Sequence, residues 1–178
     1  MINAIKNLLK LKTKIGAEEL AKDMFNLLVI DEMNDFFQEE VKHWQSSDSF
    51  DEQAFNRILF IYLASYIGVA LSVRANKVHS FEKVIYYFRQ YVRKEAKLRF
   101  GTSDAELDKA IENGSDELIK LLFTEPKTAP ALDFEWSIAW LKRFGVEESN
   151  PIQLSKIAFK WKNSFLHLLN MLNTMKVA

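Results

Sequence analysis

Cysteine is absent from this chain of 178 residues, and glycine, proline and histidine are scarce. Without cysteine there is no disulfide framework, no thiolate zinc site and no cysteine nucleophile. The composition suits a reducing compartment, so we expect a cytoplasmic protein. Five glycines and three prolines are too few for a many-turned β-sandwich or for a disordered chain. A chain of this length can bury about 70% of its unfolded surface without cross-links.

Sequence motifs of catalysis are also missing. There is no glycine-rich phosphate loop, nucleophile elbow or metalloprotease motif. Glu40 and His43 have the Glu-x-x-His spacing of di-iron bundles, which need a second such pair. Neither His79 nor His167 has a glutamate three residues before it. Because acid–base catalysis needs positioned groups of this kind, we expect no enzyme, no metal and no cofactor.

Charge of one sign does not dominate the chain, since 24 basic and 24 acidic residues balance. The charges are nevertheless segregated. Basic blocks at residues 1–17 and 74–100 alternate with acidic blocks at 18–40 and 101–125. Such alternation is typical of neighbouring helices that attract one another. A nucleic-acid-binding domain needs a basic surplus, so we expect no nucleic-acid partner.

Helix boundaries are well marked along the chain. Capping boxes are predicted at Ser49–Glu52 and Ser103–Glu106, and Asn150 precedes Pro151 as a cap, with Ser80 and Asp133 as further candidate caps. Helix stops are predicted at the glycines Gly16, Gly101, Gly114 and Gly145. These signals predict seven or eight helices, at residues 2–14, 17–46, 50–78, 80–100, 104–112, 116–124, 132–144 and 151–176.

No stretch alternates apolar and polar residues long enough to predict a strand. The pattern therefore indicates an all-α protein in which residues 1–178 form one bundle-like domain around the helix at 50–78. The loop at 124–131 is the one place where two subdomains could separate. The basic N-terminal helix either docks on the domain or touches a membrane surface.

The longest uncharged stretch, residues 58–73, lies between Arg57 and Arg74. Sixteen helical residues rise about 24 Å, whereas a bilayer core of about 30 Å needs about 20 residues. We therefore predict a buried central helix and not a membrane span.

The central helix has two distinct rows of residues. Ala64, Gly68 and Ser72 recur every four residues and make one face small. A close helix crossing or a bound ligand would explain the missing side chain of Gly68, which costs a helix about 1 kcal/mol relative to alanine. The hydroxyls of Tyr62, Ser65 and Tyr66 need hydrogen-bond partners if they are buried.

The last helix has a heptad seam and an uncharged polar face. The seam consists of Leu154, Ala158, Trp161, Phe165, Leu168, Leu172 and Met175. It is typical of packing inside a bundle, or of a contact with a partner or a second copy of the chain. The polar face contains Asn163, His167 and Asn170. Our hypothesis is that this face meets the tyrosine row of the central helix and completes a ligand site; otherwise it faces solvent or a neighbouring copy.

Two further sets of residues are candidates for binding an anion or a protein partner. Arg89, Arg93 and Lys97 form one basic row beside several tyrosines. The row either pairs with an acidic block or binds an anionic ligand or partner. Trp136 and Trp140 lie one turn apart and are either core residues or an aromatic anchor for a partner.

We therefore expect a non-enzymatic helical interaction module of the adaptor, inhibitor or assembly-factor type. It would act through a protein partner or as a homo-oligomer. The alternative is a protein that binds or senses an apolar small ligand held between the central and C-terminal helices. A cavity beside Gly68 would favour the ligand, and an exposed apolar patch would favour the interaction module.

Overall fold

The computed structural model describes residues 15–29, 51–123, 129–143 and 150–178. This part of the chain contains six helices and no strand, which confirms the all-α prediction. The helices are α1 (Ala17–Val29), α2 (Glu52–Ala75), α3 (Ser80–Phe100), α4 (Asp104–Phe123), α5 (Ala129–Lys142) and α6 (Pro151–Thr174). One isolated backbone bridge joins Ile15 to Val177, beside the ends of α1 and α6.

Several predicted helix ends are confirmed. Ser103 and Glu106 form a capping box, because the Glu106 carboxylate accepts from the Ser103 backbone N–H (3.1 Å) and hydroxyl (2.9 Å). The Asn150 side chain accepts from the Ile152 N–H at 2.9 Å, ahead of Pro151. Gly101 ends α3 in the left-handed conformation, with φ of 63°. Each of these ends is therefore determined by local sequence.

Other predicted ends are wrong. The helix α2 is capped by Asp51, which accepts from the Ala54 N–H at 3.0 Å, two residues after the predicted cap at Ser49, which lies outside the described residues. Ser80 is the first residue of α3, where no side chain makes a cap hydrogen bond. Asp133 lies inside α5, where it pairs with Lys162 of α6. A residue type that can cap a helix therefore does not by itself mark the helix start.

The predicted break at Gly114 is also wrong, because α4 runs without interruption from Asp104 to Phe123. A Cβ atom at Gly114 would lie 2.7 Å from Oγ of Ser65 on α2. Glycine is therefore favoured inside this helix, because any larger residue would press against Ser65 where the two helices cross closely. The prediction of separate helices at 104–112 and 116–124 fails for this reason.

Some sequence predictions lie outside the described residues. They are the helix at 2–14, the second half of the helix at 17–46, the Glu40–His43 pair, the stop at Gly145 and most of the loop at 124–131.

Helix α2 contacts α1, α3, α4 and α6. It is the one helix among the described residues that is long and apolar enough to cross a membrane, and 67% of its most apolar window is buried against other helices. A helix with neighbours on several faces can be apolar all round without touching lipid. Its burial is consistent with a core helix.

Candidate binding groove

A groove with a volume of about 560 Å³ lies between α2, α3 and α4. Its floor is the small-residue face of α2, from Ala64 through Gly68 and Ser72 to Asn76, the residue that follows the helix. Twelve helical residues rise about 18 Å, so the groove follows roughly three turns of α2. Helix α4 packs mainly on α2, whereas α3 packs on both α1 and α2. Helices α3 and α4 contact each other little, which leaves space between them.

Gly68 lies at the floor of this groove. A Cβ atom built on Gly68 would have nothing within 4 Å, apart from its own helix and its chain neighbours. The close crossing that the sequence suggested for Gly68 is instead made by Gly114, and Gly68 faces open space. The structure therefore has open space beside Gly68 and not a close helix crossing.

The two walls of the groove differ in charge. Arg89 and Arg93 of α3 line one wall, while Asp108, Glu112 and Asp116 of α4 line the other. Arg93 donates to both carboxylate oxygens of Asp108, at 3.3 and 2.6 Å, and so joins the walls. Arg89, Glu112 and Asp116 pair with no other described residue. Within the described part of the chain, unpaired charges therefore remain on both walls, with acid in excess.

Apolar side chains line the groove between these charges. On α2 and α3 they are Val69, Val73, Ile85, Phe88 and Val92, and on α4 they are Ile111, Ile119 and Phe123. Ile119 and Phe123 are 45% and 53% exposed. The α4 wall was missed by sequence reasoning, although two large apolar residues in an acidic helix were a usable signal.

Tyr62 does not face the groove. It is buried, its hydroxyl donates to Glu117 of α4, and Arg143 holds the same carboxylate through two contacts of 2.6 and 2.7 Å. The Arg143 guanidinium also lies 4.9 Å from the centre of the Tyr62 ring. Burial raises the pKa of Tyr62 far above its usual range, and the hydrogen bond to Glu117 raises it further. This arrangement ties α2, α4 and the end of α5 together.

Ser65 and Tyr66 are likewise satisfied inside the protein. Ser65 donates to the carbonyl oxygens of Ile61 (2.8 Å) and Ile111 (3.1 Å). The Tyr66 hydroxyl makes a long contact of 3.5 Å with the carbonyl oxygen of Trp161, and burial raises the pKa of Tyr66. These hydroxyls stabilise helix contacts in the structure and lie away from the groove.

The polar face of α6 does not meet the tyrosine row. Asn163, His167 and Asn170 are exposed, whereas Trp161 and Phe165 contact the Tyr66 ring at 5.3 and 5.5 Å. The space between α2 and α6 is therefore filled by aromatic side chains. The heptad seam of α6 is buried along its whole length.

The aromatic pair on α5 is also core. Trp136 and Trp140 stack with their ring centres 5.7 Å apart and are 9% and 2% exposed. Trp161 packs against both rings, at 5.7 and 5.2 Å. Of the basic row, Arg89 and Arg93 line the groove and Lys97 lies outside it, exposed.

Among the described residues, no group of three His, Asp or Glu side chains is placed to hold a metal ion. The groove offers apolar contact and ionic contact. No protein-family model matches the chain, and comparisons with curated proteins and with solved structures gave no match.

Proposed function

We propose that this protein is a non-enzymatic helical interaction module, a single bundle around α2 that binds an amphipathic helix of a partner protein. The groove between α2, α3 and α4 is the proposed binding site. The observation that carries the proposal is an apolar groove, open along about three helical turns, with unpaired charges on both walls.

Length and shape support a helix as the occupant. An amphipathic helix binds in a groove through apolar residues spaced three to four positions apart, and three turns present several such residues. Gly68 and its small neighbours let the backbone of a second helix approach closely. The exposed Ile119 and Phe123 extend the apolar surface to the rim.

An apolar small ligand is the second candidate, favoured by the volume of the groove. About 560 Å³ falls within the range of small-molecule pockets, roughly 300–1,000 Å³. The groove replaces the position between the central and C-terminal helices that the sequence suggested. Charges on two walls match a helix with polar flanks better than a wholly apolar molecule.

Native mass spectrometry of the protein purified from its own source tests the proposal. We expect a polypeptide bound to the wild type and lost from Gly68→Leu, because the added side chain fills the groove. Ala139→Leu, at an exposed position on α5, is the matched control and should keep the partner. A bound mass of a few hundred daltons that Gly68→Leu removes would instead establish the small ligand. A bound mass unaffected by Gly68→Leu would exclude the groove as the site.

A further inference from the structure

The unpaired charges of the groove indicate the chemistry of the partner helix. Once the Arg93–Asp108 pair is set aside, Glu112 and Asp116 remain on the α4 wall and Arg89 remains on the α3 wall. All three side chains belong to exposed residues, so they stay hydrated until a partner covers them. Covering a charge without pairing it costs free energy, which disfavours any partner that brings like charge to a wall.

We propose that the groove selects an amphipathic helix whose flank against α4 is basic. Lys or Arg side chains on that flank pair with Glu112 and Asp116. Glu112 and Asp116 are four residues apart on one helix, so two basic residues one turn apart match their spacing. An acidic residue on the other flank pairs with Arg89. This inference rests on the proposed function, because it names the partner for the same groove.

The Arg93–Asp108 ion pair forms a polar contact between the two walls of the groove. Its side chains are 30% and 48% exposed, and it joins the α3 and α4 walls. A partner helix therefore meets neutralised charge at this pair and unpaired acid farther along α4. Glu112 and Asp116 select the charge on the flank of the partner helix. The apolar floor can accommodate many different patterns of apolar side chains on that helix.

Two labelled helical peptides with the same leucine ridge test the inference, one flanked by lysines and the other by glutamates. At low salt we expect the lysine peptide to bind the wild type about tenfold more tightly, since it forms two exposed ion pairs where the glutamate peptide meets like charge. The preference should shrink in about 0.5 M salt, because screening acts strongly on exposed charges. Fluorescence anisotropy measures both affinities.

Charge reversal supplies the decisive variant. Glu112→Lys with Asp116→Lys should reverse the preference toward the glutamate peptide. Glu82→Lys with Glu135→Lys changes the net charge equally at exposed positions outside the groove and should leave the preference for lysine in place. If the control pair reverses the preference as well, the effect belongs to net charge and the inference fails.

Gly68→Leu separates this inference from the proposed function. If both peptides bind equally and Gly68→Leu abolishes both, the groove binds helices without the proposed charge selection, and only the inference is overturned. If neither peptide binds at about 100 μM, the inference is also overturned, while native mass spectrometry independently decides the proposed function.

Discussion

Two glycines on neighbouring helices have opposite environments in this protein. Gly114 is buried against Ser65 of α2, where a Cβ atom would come within 2.7 Å of the hydroxyl oxygen. Gly68 has open space beside it. The same residue type therefore permits a helix crossing at one position and a groove at the other.

Alanine at each glycine should give opposite effects on stability. We expect Gly114→Ala to destabilise the protein by roughly 1–2 kcal/mol, because overpacking at Ser65 outweighs the gain in helix propensity. Gly68→Ala should stabilise it by up to about 1 kcal/mol, since the added methyl group meets nothing. Urea unfolding followed by circular dichroism measures both. Equal shifts in the same direction would contradict the environments described.

Two aromatic residues that lie two positions apart on α6 differ greatly in solvent exposure. Trp161 is 1% exposed and packs among the rings of α2 and α5, whereas Phe159 is 67% exposed. We expect Trp161→Ala to lower the free energy of unfolding by about 3–5 kcal/mol and Phe159→Ala to change it by less than about 0.5 kcal/mol. Thermal and urea unfolding provide the test. A large decrease in the free energy of unfolding of Phe159→Ala would show that the outer face of α6 is covered in solution.

At the scale of the element, α4 depends on its own local sequence and also on a contact with a helix that is distant in the chain. Its start is set by the capping box of Ser103 and Glu106, which the sequence predicts. Its continuity through Gly114 depends on α2, which comes about fifty residues earlier in the chain. Local patterns therefore predict where α4 begins and ends, and fail at Gly114, where they predict a break that the structure does not have.

An acid titration should detect the capping box through the pKa of Glu106. Hydrogen bonds from the backbone N–H and hydroxyl of Ser103 lower the pKa of Glu106. A carboxyl group with a lowered folded pKa stabilises the fold above its unfolded pKa of about 4.3, and the contribution is lost as pH falls through the folded pKa. NMR titration should show a higher Glu106 pKa in Ser103→Ala than in the wild type. Ser155→Ala, at an exposed position on α6, is the control and should leave that pKa unchanged.

At the scale of the whole molecule, buried tyrosines join helices that are distant in sequence. Tyr62 connects α2 to Glu117 and Arg143, and Tyr66 packs on α6. Both tyrosines have raised pKa values, chiefly because burial disfavours the phenolate. Their contribution to stability is present below the unfolded tyrosine pKa of about 10 and is lost progressively above it.

We therefore expect the urea midpoint of the wild type to fall as pH rises above about 10. Tyr62→Phe and Tyr66→Phe should each make that fall less steep, because the residue that must remain protonated is gone. Tyr86→Phe is the control, since Tyr86 is 60% exposed. If all three variants follow the wild-type slope, the two buried tyrosines do not govern the alkaline response.

The sequence by itself determined the helical class and four helices close to their observed bounds, because these depend on periodicity and caps within a few residues. It identified the α6 seam, and the structure shows that this seam is buried within the bundle. It also singled out Gly68, Ser72, Arg89 and Arg93, which line the groove. Only the tertiary structure decided which helices surround Gly68, because helix pairing depends on contacts between distant segments. Tertiary packing likewise moved the close crossing to Gly114 and left Asn163, His167 and Asn170 exposed, since the α6 aromatics already fill the space beside Tyr66.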